Sequence, residues 1–225
     1  MSMMPTVRQE RFASCPNSAR PPSSTMKTDR TPSGGPTTGL SRRELLLQVA
    51  ADLFLHNPYD SVTVDMVCTR AGISGPGLYR HFQNKQALLI AVVENPLDFL
   101  QRFARATTEA EPDPLAALTA MVEFHIRSVL STAPTTLIFL KNEHAFPEAD
   151  RRRIRRAMNI YAEEWISIVS PLRPDLSEPE VRVLTHAVFS MLNTLPTLNR
   201  GLDQESVVKT MSTAALQALT SLRSE

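Results

Sequence analysis

The chain has 225 residues, 42% of them hydrophobic, with 24 basic and 23 acidic side chains for a formal net charge of +1. That length accommodates one small module and one larger domain, while no apolar run is long enough to span a bilayer. Two cysteines, Cys15 and Cys68, make no disulfide framework, and the near-zero charge excludes a general affinity for polyanions.

The charge is nevertheless uneven. Residues 1–40 hold Arg8, Arg11, Arg20, Lys27 and Arg30 against Glu10 and Asp29, a balance of +3, whereas residues beyond 88 sum to −3. Residues 1–39 are rich in Pro, Ser, Thr and Gly, with the run PSGGPTTG, and hold too few apolar side chains to bury. They are expected to form a disordered tail without the apolar core of a signal peptide, which points to a cytoplasmic protein with reduced thiols. Methionines at 1, 3, 4 and 26 leave the translation start open.

The first helix starts at Ser41, with Glu44 at capping-box spacing. Leu45, Leu46, Val49, Ala50, Leu53 and Phe54 share one face, and Asn57 before Pro58 should end the helix. Thr63 caps a second, short helix over residues 64–71 with Val64, Val67, Cys68 and Ala71 inward. Gly72 sits where a left-handed turn residue is needed. Ile73 plugs the core, and a third helix begins near Ser74 to Pro76 and carries the LYRHF run. Two short helices joined by a few residues containing Gly form a helix-turn-helix, here over residues 63–82.

Asn84 caps a fourth helix, in which Pro96 predicts a kink or break, with helix resuming over 97–109. Further helices are expected over 115–130, from Pro134 through His144, and from Pro147 to about Ser170. Ser177 with Glu180 forms a second capping box for a helix running toward Asn199. Gly201 closes it, and Asp203 caps a last helix to Leu222. No stretch alternates with period two, so the chain reads as all-α.

The helix-turn-helix resembles that of the TetR (tetracycline-repressor-like) family of bacterial regulators. The matching residues are Leu53-Phe54, Tyr59, Thr63, Ala71-Gly72-Ile73-Ser74, Leu78-Tyr79-x-x-Phe82, Lys85 and Leu88, about a quarter of the chain without gaps. The resemblance implies an N-terminal three-helix DNA-binding domain (40–100) joined to a larger helical ligand-binding and dimerisation domain (101–225). The partners it implies are double-stranded operator DNA, a small-molecule effector and a second copy of the chain, with no cofactor, metal or membrane. Three positions depart from the family. Pro58 stands where Gly is usual, Gly75 and Gly77 flank Pro76 where polar or basic side chains are more frequent, and Pro96 interrupts the fourth helix.

An ordinary αα-hairpin would account for Leu78 and Phe82 as core. It does not account for Tyr79, Arg80, His81 and Lys85 clustering beside Ser74 and Thr63. Helix N-termini offer amides to phosphate, so Thr63 and Lys85 are expected to grip the backbone on either side of a groove. Tyr79 and His81 would donate to phosphate, while the start of the third helix (Ser74, Gly75, Pro76, Gly77) approaches base edges, with direct readout falling chiefly on Tyr79, Arg80 and Ser74.

For the effector pocket that the resemblance implies, the expected lining is Phe99, Phe103, Met121, Phe124, His125, Leu137, Leu140, Glu143, Tyr161 and Trp165. The run from Arg151 to Arg156 opposes the helix dipole. It reads as a solvated face paired with neighbouring carboxylates, or as an anion site at Arg151, Arg152 and Arg155 for the phosphates of a ligand such as an acyl-coenzyme A. In the family the fourth helix links head to effector domain, and Pro96 would act there as a hinge driven by ligand at Phe99 and Phe103. The last two helices would form the dimer face.

No zinc-protease, phosphate-loop or nucleophile-elbow motif is present, and Glu143-His144 point to different helical faces, so no catalytic residue is assigned. The expected function is a repressor released from a palindrome by a small apolar ligand. The alternatives are an activator or ligand-independent regulator of the same fold and, remotely, a helical enzyme.

Overall fold

The computed structural model describes residues 40–131, 134–198 and 201–222. The N-terminal tail, Cys15 included, lies outside the described residues. Among those described, ten α-helices and two short 3₁₀ turns make up the regular structure.

Helix α1 (Arg42–His56) starts with the expected capping box, Ser41 and Glu44 each bonding the other's backbone amide. It stops without a left-handed residue. Asn57 turns to extended backbone (φ −128°, ψ 147°), as a residue before proline must, and a 3₁₀ turn over Tyr59–Ser61 follows. Helix α2 (Val64–Ala71) is capped by the Thr63 hydroxyl and closed by Gly72 at φ 65°, a conformation that costs a residue with a Cβ about 1 kcal/mol or more. Helix α3 (Gly75–Tyr79) is capped by Ser74, and Asn84 caps the long α4 (Lys85–Ala110).

Of the kink or break expected at Pro96, the break is absent: α4 runs through it from Lys85 to Ala110. Val92, Val93, Leu97, Leu100 and Ala104 are buried on both sides of it, and this packing outweighs the roughly 3 kcal/mol an interior proline costs.

Helices α5 (Pro114–Ser131), α6 (Thr135–Lys141), α7 (Glu148–Leu172), α8 (Glu178–Asn193), α9 (Leu195–Leu198) and α10 (Gln204–Thr220) follow. Two ends differ from expectation. Helix α6 stops three residues early because Asn142 leaves helical geometry (φ −114°, ψ 18°) for a 3₁₀ turn over Glu143–Ala145. Helix α8 stops at Asn193 and the chain restarts as the single turn α9, since Pro196 cannot donate to the carbonyl four residues back.

Buried side chains fall into two clusters. One joins α1 to α4 through Leu46, Ala50, Phe54, Val67, Leu78 and Leu88, and takes in Ile138, Phe139, Phe146 and Ile154 from later in the chain. The other packs α4, α5, α7, α8 and α10 around Leu118, Met121, Trp165, Val188, Leu192 and Ala215. The segment α6 and its following turn therefore seal the base of the N-terminal head.

Polar bonds fix that seal. The last turn of a helix leaves carbonyls without partners. In α1, Leu53 O accepts from the Asn57 amide and side chain, Phe54 O from Asn142 Nδ2 at 3.1 Å, and Leu55 O from Lys141 Nζ at 2.7 Å. Gln86 Nε2 donates to Ala145 O at 2.8 Å, tying the start of α4 to the same segment.

Candidate nucleic-acid interface and effector cavity

Helix α3 and its flanks present a short polar ridge. Thr63, Ser74, Pro76, Tyr79, Arg80 and His81 are exposed, and Tyr79 keeps 55% of its surface in solvent. Leu78 is fully buried beneath them and Phe82 nearly so, which fixes the ridge on the head's core. Arg80 folds back, its Nε donating to Pro76 O at 3.4 Å.

The two glycines of α3 have different causes. A Cβ at Gly75 would meet nothing within 4 Å, so that position faces open space. At Gly77 it would lie 2.8 Å from Ile73 Cγ2 and 3.2 Å from Ser74 Oγ. Gly77 is thus required by the packing of Ile73 under the turn, whatever lies outside.

Lys85 is turned inward. Its ammonium donates to Tyr59 O and Val62 O, both at 2.9 Å, and sits 3.9 Å from the centre of the Tyr59 ring, which stacks on Phe54. Burial pushes the Tyr59 hydroxyl pKa up, with Asp60 adding to it. Against the expected phosphate grip, the half-buried Lys85 ammonium is directed at the turn after α1, where it joins the Val62 amide on Tyr59 O and bonds Val62 O.

A cavity of about 490 Å³ lies among α4, α5, α6, α7 and α8, within the range of small-molecule sites. His125 and Tyr161 are nearly fully buried on it, with Nδ1 3.1 Å from the Tyr161 hydroxyl and the two rings stacked. Burial drives the His125 pKa down to about 4, opposed in part by the Asn193 side chain, so the ring is neutral at pH 7. Burial likewise pushes the Tyr161 hydroxyl well above its ordinary range. A larger open groove, about 1380 Å³, runs between α1, α4 and α6, but its polar lining (Glu44, Gln48, His56, Asn95) is exposed to water. The smaller cavity is the better ligand site because buried polar side chains, His125, Tyr161 and Asn193, border it.

Comparison with known proteins then decides the family. Residues 46–92 match the family model for bacterial regulatory proteins of the tetR family, and residues 111–198 match that for the tetracyclin repressor-like C-terminal domain, together more than half of the chain. The chain belongs to the TetR family. Its TetR relatives include the transcriptional activator FasR of Mycolicibacterium smegmatis, 33% identical over 100 residues covering 42% of this chain and 46% of FasR. The transcriptional repressor KstR2 of the same organism is 33% identical over 86 residues, 38% of this chain and 42% of KstR2. The matched stretch thus spans less than half of either relative's length. The crystal structure of AibR in complex with isovaleryl coenzyme A and operator DNA has the same fold, with a TM-score of 0.60 at 20% identity over 77% of this chain and 97% of that one. The two models describe bacterial regulatory proteins and a repressor-like C-terminal domain.

Within this TetR fold, four of the ten residues expected to line a pocket border the cavity: His125, Leu137, Leu140 and Tyr161. The others do not. Met121 and Trp165 are packed in the core. Phe99 is 46% exposed and packs on Phe124, which stacks with Phe103 at 3.5 Å, all away from the cavity. Glu143 leaves the helix with the 3₁₀ turn and pairs with Arg155. The ligand-driven hinge at Phe99 and Phe103 loses its contact; Leu97 and Leu100, on a neighbouring face of α4, border the cavity instead.

In the basic run, Arg151 and Arg152 both pair with Glu148, and Arg153 bridges Glu94 and Asp150. Only Arg155 reaches the cavity. Sequence reasoning missed Asn193, a buried amide four residues after Phe189 that borders the same space. Its signal was a polar side chain one turn beyond Phe189 on the same face of α8.

Proposed function

We propose that this regulator is a cytoplasmic homodimer that represses from a palindromic operator and is released when a small, mainly apolar ligand fills the cavity. The observation that carries the reading is the double role of α6. Leu137, Phe139 and Leu140 border the cavity, while Lys141 and Asn142 at its end bond the last carbonyls of α1. A ligand that favours another setting of α6 shifts the population of head orientations, which is all that release requires.

The head (40–100) reads DNA through Ser74, Gly75, Pro76, Tyr79, Arg80 and His81, with Thr63 at the phosphate backbone. The domain over 101–225 binds ligand and pairs the copies. In support of pairing through α8 and α10, Val183 is 70% exposed beside Leu184, Ala187 and Ala218 in one shallow apolar recess. Paired heads about 34–36 Å apart fit successive major grooves. The isovaleryl coenzyme A bound to AibR favours a ligand of acyl type.

Selection of bound duplexes from a random pool by the purified chain tests the reading. The expected result is a palindromic motif whose affinity falls steeply with salt. Absence of any enriched sequence overturns it. FasR is named an activator, and a ligand that tightens operator binding in the same titration would support activation here.

A further inference from the structure

The polar groups that border the cavity differ sharply in burial. His125 is 3% exposed, with the Tyr161 hydroxyl on its Nδ1, the Asn193 side chain close enough to favour its charged form, and no hydrogen bond of ordinary geometry to its Nε2. Asn193, 8% exposed, borders the same space. Arg155 also borders it, its side chain 58% exposed. Leu97, Leu100, Val129 and Phe189 give the lining an apolar body, with the hydroxyls of Thr135 and Thr136 among them. Among the described lining residues there is no carboxylate, and Arg155 is the one permanent cation.

A buried imidazole nitrogen without a partner is costly, and buried polar atoms are ordinarily satisfied. A neutral ring offers one donor and one acceptor. With Nδ1 committed, Nε2 can take one uncharged oxygen function, since a charged group at that depth would meet no counter-charge. Arg155 pairs with Glu143 at the surface, where solvent keeps such a pair weak, and a guanidinium has donors left for a second anion.

We propose that the effector is a two-ended amphipathic acid: an anionic group at Arg155, an apolar body, and an uncharged hydroxyl or carbonyl seated on His125 Nε2. This rests on the ligand-responsive reading above and narrows its ligand class.

Calorimetric titration of the full chain at neutral pH with three probes tests it: 12-hydroxydodecanoate, dodecanoate and 1,12-dodecanediol. The hydroxy acid should bind about ten-fold more tightly than dodecanoate, the value of one recovered buried hydrogen bond. His125→Phe should remove that preference and keep dodecanoate binding. Arg155→Gln should weaken both acids alike and leave the diol unchanged. Equal binding of the two acids by the unaltered chain overturns the proposal whether or not the His125 variant folds. So does a preference that survives His125→Phe, or failure of all three probes to bind. Duplex selection is independent of these titrations: DNA binding without probe binding sinks the ligand class alone, and probe binding without duplex selection sinks the regulator reading alone.

Discussion

Asn142 is fully buried at the point where α6 meets the head, and its replacement by alanine has a calculable cost. Its Nδ2 donates to Phe54 O at 3.1 Å and to Ile138 O at 2.9 Å. Ile138 O keeps a second donor, the Asn142 backbone amide at 3.1 Å, but Phe54 O loses its bond from Asn142 in the closed last turn of α1. An orphaned buried carbonyl costs about 1–3 kcal/mol, and the small void adds about 1. Against this, Asn142 Oδ1 is itself buried without a partner, and deleting it returns about 1 kcal/mol. The net expectation is a loss of about 2 kcal/mol, a fall in Tm of about 4–8 °C for a unit of this size. Urea denaturation followed by circular dichroism, at one fixed protein concentration, measures it. Asn142→Asp should be worse than alanine, since it aims a carboxylate oxygen at a carbonyl. An alanine variant within about 0.5 kcal/mol of the parent, or an aspartate variant no worse, would refute this account of the joint.

Pro96→Ala should raise stability by about 2 kcal/mol, the interior-proline cost less the entropy that proline removes from the unfolded chain; a lower melting temperature would mean the ring's packing matters more. Lys85→Ala should cost about 1–2 kcal/mol by removing the bond to Val62 O, Tyr59 O keeping the Val62 amide, while leaving the salt dependence of DNA binding unchanged, and a flattened slope in gel-shift titrations would show that the ammonium reaches phosphate after all. Tyr79→Ala, at an exposed position, should leave the melting curve alone and weaken operator binding by about 1–3 kcal/mol; parental affinity would remove it from the interface. His125, held neutral by burial with its pKa down to about 4 against an ordinary 6.5, binds fewer protons folded than unfolded. Stability should therefore rise with pH across about 4 to 6.5, by about 3 kcal/mol in all, and be fully present above that window. His125→Phe should flatten this rise, and an identical pH profile would show that His125 is not its source.

Much of the helical frame was legible because caps act locally. Ser41 with Glu44, Thr63, Gly72, Asn84 and Asp203 each fix a helix end from within four residues, and all five function as their spacing implies. What resisted reading was long-range. Lys85 finds its partners 26 and 23 residues back, on two carbonyls that the 3₁₀ turn after α1 brings within reach of one ammonium. Phe99 and Leu100 are adjacent and both large, and helical periodicity alone cannot tell which one faces the cavity. The neighbours decide, Phe124 drawing Phe99 and Phe103 into a stack elsewhere. The break at Pro96 is absent for a related reason: a local penalty was weighed without the burial that overrides it.

The unequal glycines of α3 bear on how such a regulator changes its target. A side chain introduced at residue 77 must first displace Ile73 from beneath the turn, so variation there is filtered by folding before any base is tested. At residue 75 a new side chain enters empty space on the outer face of the same turn. Operator preference can therefore drift, or be retargeted by a single-codon library, at Gly75 with little penalty to the fold. Gly77 stays an anchor around which such drift takes place.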